Sequence, residues 1–128
     1  MTRTEHSKRP ARESLSKRLG KVAKQIAARD DHRCIYCSRT ADESGAHLHL
    51  DHLTPKAHGG EDVATNLVLA CRRCNSARQD KLLPAWQNYA LEFLGLKFCT
   101  RAVRAQALSK LPELPRAASK VKPGVVSK

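Results

Sequence analysis

The stretch that decides the fold is "LHLDHLTPKAHGGEDVATNLVLACRRCN", residues 48–75. From residue 46 to residue 51 apolar and polar side chains alternate, which is the period of a β-strand with one apolar face. A second apolar run, "NLVLA", occupies residues 66–70. The sequence therefore predicts two short strands, over about 46–52 and 66–70, joined by a connecting segment.

The connecting segment, residues 54–65, is predicted to be a loop. Pro55 has no N–H to give to a sheet, and the pair Gly59–Gly60 can adopt positive φ. Asp51 and His52 stand where the first strand gives way to this loop. Because neighbouring side chains of a strand point to opposite faces, we expect strand structure to end at this pair, so that both side chains converge on one group.

Four of the five cysteines form two Cys-x-x-Cys pairs, "CIYC" at 34–37 and "CRRC" at 71–74. Two intervening residues let both thiolates of a pair reach one ion at about 2.3 Å, and two pairs complete a tetrahedron. A site with four protein ligands has no open position, so the expected zinc ion is structural. Its predicted ligands are Cys34, Cys37, Cys71 and Cys74, whereas Cys99 is expected to be a buried or idle thiol.

Two other interpretations of the cysteine pairs stay open at this point: two disulfides, or a redox-active Cys-x-x-Cys. The polar start of the chain and the absence of any long apolar run favour an intracellular, reducing compartment, where disulfides are rare. The presence of two pairs disfavours the redox interpretation.

A basic amphipathic helix is predicted over residues 11–29. Its apolar side chains follow each other at intervals of three or four residues: Leu15, Leu19, Val22 and Ile26. The basic residues are assigned to its other sides: Lys17, Arg18, Lys21, Lys24 and Arg29. Gly20 destabilises this helix by about 1 kcal/mol relative to Ala. The basic side is either a solvated face or a contact surface for a phosphate backbone.

Helices are also predicted after the second strand. A polar stretch after Cys71 contains good helix formers, and Pro84 opens a further helix. Five side chains of that helix are expected to form one buried face: Trp86, Tyr89, Ala90, Phe93 and Leu94. A basic segment is expected to continue as helix, with apolar residues Val103, Ala107, Leu108 and Leu111. Two strands among several helices make an α+β fold.

The chain carries a formal net charge of +12, and its charge is concentrated in the flanks. The net charge is +6 over residues 1–33, −1 over 34–96 and +7 over 97–128. A polyanionic partner is therefore expected, with nucleic acid first and an acidic membrane surface second. The amphipathic helix has no aromatic anchor, which disfavours the membrane.

The order of these residues resembles an HNH endonuclease of the zinc-supported ββα-metal type, the stand-alone kind of phages and bacteria. The resemblance covers residues 29–81 and rests on matched positions: Asp51–His52 for the family's Asp-His, Pro55 and Gly59–Gly60 for its loop, Asn66 for its central Asn, and "CRRCN" for its closing motif. It implies a small ββα-metal core with a structural zinc site of four cysteines and with flanking helices.

The resemblance also implies hydrolysis of DNA phosphodiester bonds with one catalytic cation. His52 would be the general base, because histidine ordinarily titrates near pH 6.5 and can take a proton from water. Asp51 and Asn75 would offer oxygen ligands to Mg²⁺ or Mn²⁺, and Asn66 would orient the His52 region through hydrogen bonds. Arg78, three residues after Asn75, is expected to contact a phosphate, with a solvent-exposed side chain as the alternative.

Residues 1–10 are predicted to be a disordered basic arm, residues 11–111 the nuclease domain, and residues 112–128 a disordered basic tail. The expected partner is DNA, with a homodimer or a protein partner needed to cut both strands, in the cytoplasm of a bacterial or phage-infected cell. His47 and His49 are either extra ligands or polar residues on a solvated or DNA-facing strand face. The alternative function is a zinc-stabilised nucleic-acid-binding module without catalysis.

Overall fold

The computed structural model of the chain describes residues 15–114. Its helices and strands follow in this order: α1 Leu15–Leu19, α2 Lys21–Arg29, α3 Ala41–Ser44, β1 His49–His52, β2 Leu67–Ala70, α4 Arg72–Arg78, α5 Leu83–Tyr89 and α6 Thr100–Leu108. The predicted basic arm, and most of the predicted tail, lie outside the described residues. The Gln25 side chain donates a hydrogen bond at 3.1 Å to the carbonyl of Pro112, one residue past the predicted boundary at 111.

Strands β1 and β2 form a two-stranded antiparallel sheet in which His49 pairs with Ala70 and His52 with Leu67. All four residues of β2 are buried, because both faces of the sheet are covered. One face packs against α4, α5 and α6, and the other packs against α1 and α2. The molecule is therefore the predicted α+β fold, a strand pair followed by a helix that lies against β1.

The predicted N-terminal helix is divided into α1 and α2 at Gly20, whose φ of 54° and ψ of −112° do not fit a helix. The apolar stripe continues across the break. Its member Ile26 is fully buried against Leu50, Leu67 and Leu69 of the sheet. The other members of the stripe, Leu15, Leu19 and Val22, pack against the same cluster. The cost of Gly20 in a helix is thus avoided by a bend, and the two short helices are held by burial of their stripe.

The prediction that Arg29 lies away from the apolar side of the helix is wrong, because its side chain is only 2% exposed. Its guanidinium donates to the Asp30 carboxylate at 2.8 Å and to the carbonyls of Ala64, Leu67 and Ala107. Asp30 in turn accepts from the Leu69 N–H at 2.9 Å. This buried ion pair joins α2 to β2 and α6.

The helix that Pro84 opens contributes Trp86 and Ala90 to the main core, and both are fully buried. The predicted buried face fails at Phe93, which is 62% exposed. The cause is a π-helical turn at Ala90–Leu94, which adds a residue to the turn and rotates Phe93 away from the core. Phe98 takes the place beside Trp86, with ring centroids 5.7 Å apart.

No helix within residues 15–114 is long and apolar enough to cross a membrane.

Candidate active site and metal centre

The four paired cysteines converge between the turn at 34–37 and the start of α4. Their sulfur atoms all lie within 4.8 Å of one another, and the Sγ atoms of Cys37 and Cys71 are 3.7 Å apart. A tetrahedral zinc ion with bonds of about 2.3 Å separates its sulfurs by about 3.8 Å, so the group has the size of a zinc site with four thiolate ligands. All four are free thiols. Within the described part of the chain, no other group of three or more His, Cys, Asp or Glu side chains is close enough to share an ion.

Local hydrogen bonds prepare these sulfurs to act as ligands. The N–H of Tyr36 donates to Cys34 Sγ at 3.4 Å, and the N–H of Cys74 donates to Cys71 Sγ at 3.5 Å, which caps α4. A hydrogen bond from the Cys74 thiol, above all, lowers the pKa of Cys34 to about 5. The same contact raises the pKa of Cys74. Four sulfurs at this spacing therefore need a cation before all of them can ionise.

Asp51 lies in a buried polar network beside the first cysteine turn. The Tyr36 hydroxyl donates to Asp51 Oδ2 at 2.6 Å, and the Arg78 guanidinium donates to the same oxygen at 2.9 Å. Burial, with the charge of Asp51 next, raises the pKa of Tyr36, so its hydroxyl stays protonated and donates. Among the described residues, both hydrogen-bond donors to Asp51 use Oδ2.

Arg78 is fully buried, which differs from both interpretations of this residue in the sequence. Besides Asp51 and Tyr36, its guanidinium bonds the backbone carbonyls of Leu53 and Lys81. The side chain reaches neither solvent nor a phosphate in this conformation. It is buried because Asp51 faces inward on β1, and a buried carboxylate needs a compensating charge.

His52 lies on the opposite face of β1 from Asp51. Strand β1 ends at His52, as predicted, but both residues of the pair still belong to the strand, because His52 pairs with Leu67 in the sheet and the Leu53 N–H donates to the Asn66 carbonyl at 2.8 Å. Asp51 therefore faces α4, whereas His52 faces the side covered by α1. The two side chains do not converge in this structure.

Asp62, in the loop between the strands, is the side-chain partner of His52. Its Oδ1 lies 2.7 Å from His52 Nε2, while its Oδ2 lies 3.3 Å from Arg18 of α1 and 3.6 Å from Lys56. The hydrogen bond with His52 is the main cause that lowers the pKa of Asp62, and the charge of Lys56 adds to it. The His52 side chain is 16% exposed and Arg18 is 47% exposed, so the group lies at the surface.

Asn66 holds the loop that follows His52. Its Oδ1 accepts from the Thr54 N–H at 2.8 Å, and its Nδ2 donates to the carbonyls of Thr54 and Glu61 at 3.1 and 3.0 Å. Gly60 is required at this contact, because a Cβ there would lie 1.7 Å from the Thr54 carbonyl oxygen. The side chain of Asn66 therefore fixes the backbone two residues beyond His52.

The remaining candidate residues differ in how far they are buried. Asn75 is half-buried on α4, one residue past Cys74. His47 and His49 are exposed, and Cys99 is exposed as well.

Residues 34–81 match the family model described as HNH endonuclease. We refer to these residues as the HNH segment. The match includes the four cysteines, Asp51, His52, Asn66 and Asn75, and it covers somewhat over a third of the chain. A search of the curated proteins finds no match to the chain.

Two residues of the HNH segment with a part in the site were missed by sequence reasoning. Tyr36 sits inside the first Cys-x-x-Cys, where the thiols dominate the pattern, and Asp62 sits in the loop as one acidic residue of several. A signal for Asp62 exists, since it stands two residues after Gly60 in the loop that returns to the strand end. The signal for Arg18, outside the segment, is only its positive charge.

Proposed function

We propose that the chain is a metal-dependent DNA endonuclease in which His52 is the general base. The observation that carries the proposal is a partly exposed histidine of the HNH segment, hydrogen-bonded to a carboxylate and flanked by two cationic side chains. Hydrolysis of a phosphodiester needs a base for the attacking water and positive charge near the phosphate. His52 would supply the base, and Arg18 and Lys56 add positive charge beside it.

We assign a divalent cation to Asp51 and Asn75. Because Asp51 and His52 face opposite sides of β1 here, the proposal requires both side chains to reach the same phosphate in the complex with DNA. Asp51 and Asn75 offer a carboxylate and an amide oxygen, which suit Mg²⁺ or Mn²⁺, since these ions keep several waters and take substrate oxygens as well. Such a cation, when bound, would neutralise charge that develops on the phosphate. The hydrogen bonds from Tyr36 and Arg78 both end at Asp51 Oδ2. They leave Oδ1 as the oxygen that can bind the cation.

The zinc ion that we assign to the four cysteines has a structural part in this proposal. It would join the turn at 34–37 to the start of α4, and Tyr36 in that turn donates to Asp51. A bound Zn²⁺ with four thiolate ligands has no open position for substrate. Cys34, Cys37, Cys71 and Cys74 would therefore act on the reaction only through the positions of Asp51 and Asn75.

DNA is the substrate that the family and the charge both favour. The net charge of +12 and the basic residues of α1 and α2 supply a sequence-independent attraction to a phosphate backbone. One site cuts one strand, so cutting both strands would require a second copy or a second visit. A bacterial or phage-infected cytoplasm would keep the cysteine thiols reduced for zinc.

The test is a plasmid-nicking time course with the purified protein in Mg²⁺, in Mn²⁺ and in EDTA, with His52→Ala beside the wild type. We expect metal-dependent conversion of supercoiled to nicked or linear DNA by the wild type. His52→Ala should reduce the rate by about 10²–10⁴-fold, the usual contribution of a general base. His49→Ala is the matched control, since His49 is an exposed histidine of the same strand.

Two results would contradict the proposal. Cleavage by His52→Ala at the wild-type rate would remove His52 as the base. The absence of cleavage by the wild type in any metal, with zinc content and DNA affinity intact, would favour the zinc-stabilised nucleic-acid-binding module instead.

A further inference from the structure

The neighbourhood of His52 contains a carboxylate with divided contacts. Asp62 Oδ1 lies 2.7 Å from His52 Nε2, a length typical of a charge-assisted hydrogen bond, and Asp62 Oδ2 faces the cationic groups of Arg18 and Lys56. Each oxygen thus has its own partners. Asp62 takes no direct part in the proposed reaction.

The contact decides which nitrogen of His52 can act as a base. An ionised carboxylate can only accept a hydrogen bond, so the nitrogen that faces Asp62 must carry the proton. A neutral imidazole has a single N–H. With Nε2 protonated, the lone pair lies on Nδ1. His52 would therefore take a proton from water at Nδ1, while Asp62 keeps the Nε2–H in place.

We propose that Asp62 is the positioning residue of His52 and that Arg18 of α1 holds Asp62 in turn. This inference rests on the proposed function, because it concerns the base of that reaction. Asp62 fixes the tautomer and the ring orientation of His52 through the contact of 2.7 Å between its Oδ1 and Nε2. Asp62 does not touch the reacting atoms.

The cations beside Asp62 explain how a carboxylate can stand next to a phosphate site. Arg18 and Lys56 are 47% and 62% exposed at the side chain, and both lie near Oδ2. Two positive charges around one negative charge leave the group with a net positive charge even when His52 is neutral. A phosphate approaching His52 would meet attraction rather than repulsion.

Arg18 gives α1 a part in the site that the family segment does not contain. The helix covers the His52 face of the sheet, and its Arg18 crosses to the loop at residue 62. The first helix is thereby a support for the catalytic loop, in addition to any contact with DNA. The loss of Arg18 should loosen Asp62 and should affect His52 only through it.

The first measurement is the tautomer of His52 in the free protein. Long-range ¹H–¹⁵N NMR spectra at pH 8 distinguish a protonated from an unprotonated ring nitrogen, and the His52→Ala spectrum assigns the signal. We expect the wild type to show Nε2 protonated and Nδ1 unprotonated. In Asp62→Asn the amide can donate to Nε2, so the signal should shift toward the other tautomer. A wild-type ring protonated at Nδ1, or an unchanged spectrum in Asp62→Asn, would overturn the inference.

The second measurement is single-turnover cleavage. Asp62→Asn should lose about 10²–10⁴-fold, because the wrong tautomer removes the base. Arg18→Gln should lose less than Asp62→Asn, and Glu61→Gln, an exposed acidic neighbour, should keep the wild-type rate. Circular dichroism and zinc content confirm that each variant is folded.

The two proposals fail in different ways. Wild-type activity that His52→Ala abolishes but Asp62→Asn retains would leave the nuclease standing and remove the role of Asp62. A wild type without cleavage would remove the nuclease, while the NMR measurement would still decide whether Asp62 sets the His52 tautomer. Equal rates for Arg18→Gln and the wild type would remove the support from α1.

Discussion

At the residue scale, the sequence indicates candidate site residues but not their hydrogen-bond partners. Asp51, His52 and Asn66 stand in a recognisable order, and Asn66 makes the loop contacts that its expected orienting role requires. The partners of Asp51 and His52 come from distant parts of the chain, and no local pattern indicates them. Spacing along a strand shows only that two neighbours diverge, and here the strand continues through both.

The glycine pair illustrates the same difference. The sequence predicts a loop in which both glycines can adopt positive φ, but only Gly59 has it, at 89°. Gly60 is needed because the Thr54 carbonyl approaches its Cα closely. A close approach between two loop segments arises only in the folded loop. The sequence therefore indicates a glycine at position 60 but not the contact that requires it.

Gly60→Ala should therefore lower the free energy of unfolding by about 1–3 kcal/mol or more, since the new methyl group would push against backbone. Gly59→Ala is the comparison: its Cβ meets open space, and only the positive φ costs about 1 kcal/mol. Urea unfolding curves of both variants measure the difference. A Gly60→Ala variant as stable as Gly59→Ala would show that the loop yields without cost.

At the element scale, hydrophobic periodicity predicts most helices and both strands. It fails where an element changes its geometry in the middle. Gly20 divides the first helix, and the π-turn after α5 turns Phe93 to solvent. The first is a break in the helix and the second adds a residue to a turn, and a fixed period contains neither change.

The start of α4 depends on the cysteine site, because Cys71 is both a predicted ligand and the residue that caps the helix. Structural zinc contributes roughly 10–16 kcal/mol of apparent binding free energy in small domains, about as much as the whole stability of a domain, roughly 5–15 kcal/mol. Removal of zinc with a chelator should therefore unfold the chain rather than loosen one turn. Circular dichroism and Trp86 fluorescence would report the loss.

A pair of cysteine variants checks that prediction. Cys37→Ser should lose zinc and unfold, whereas Cys99→Ser should keep the metal content and the stability of the wild type, since Cys99 is exposed and lies outside the cluster. Full stability of the zinc-free protein would contradict the structural role of the ion.

At the scale of the whole molecule, the Arg29–Asp30 pair joins elements that are far apart in the sequence. Arg29 follows Ile26 by three residues and Val22 by seven, which is the spacing of the apolar stripe itself. The pattern thus contained a sign that Arg29 faces inward. The positive charge of Arg29 disfavours burial unless it is compensated. The compensating groups are the Asp30 carboxylate and the carbonyls of Leu67 and Ala107, which come together only in the folded chain.

Arg29→Met should lower the free energy of unfolding by about 3–5 kcal/mol, because it leaves the buried Asp30 carboxylate without its charge partner. Lys24→Met, on an exposed position of the same helix, should change stability by less than about 0.5 kcal/mol. Thermal and urea unfolding compare the two. Similar losses in both variants would show that the buried pair contributes no more than a surface charge.

The Arg29–Asp30 pair also limits how the segment that matches the family model could be moved into another protein. The segment that the family shares begins at residue 34, but the side chains that close the second face of its sheet come from α1 and α2. Cut out alone, the segment would present Leu50, Leu67 and Leu69 to water and would lose the Arg29 contacts to β2 and α6. The segment that matches the family model is thus smaller than the unit that buries both faces of the sheet. A fusion protein made from this chain has to keep α1 and α2 together with the segment.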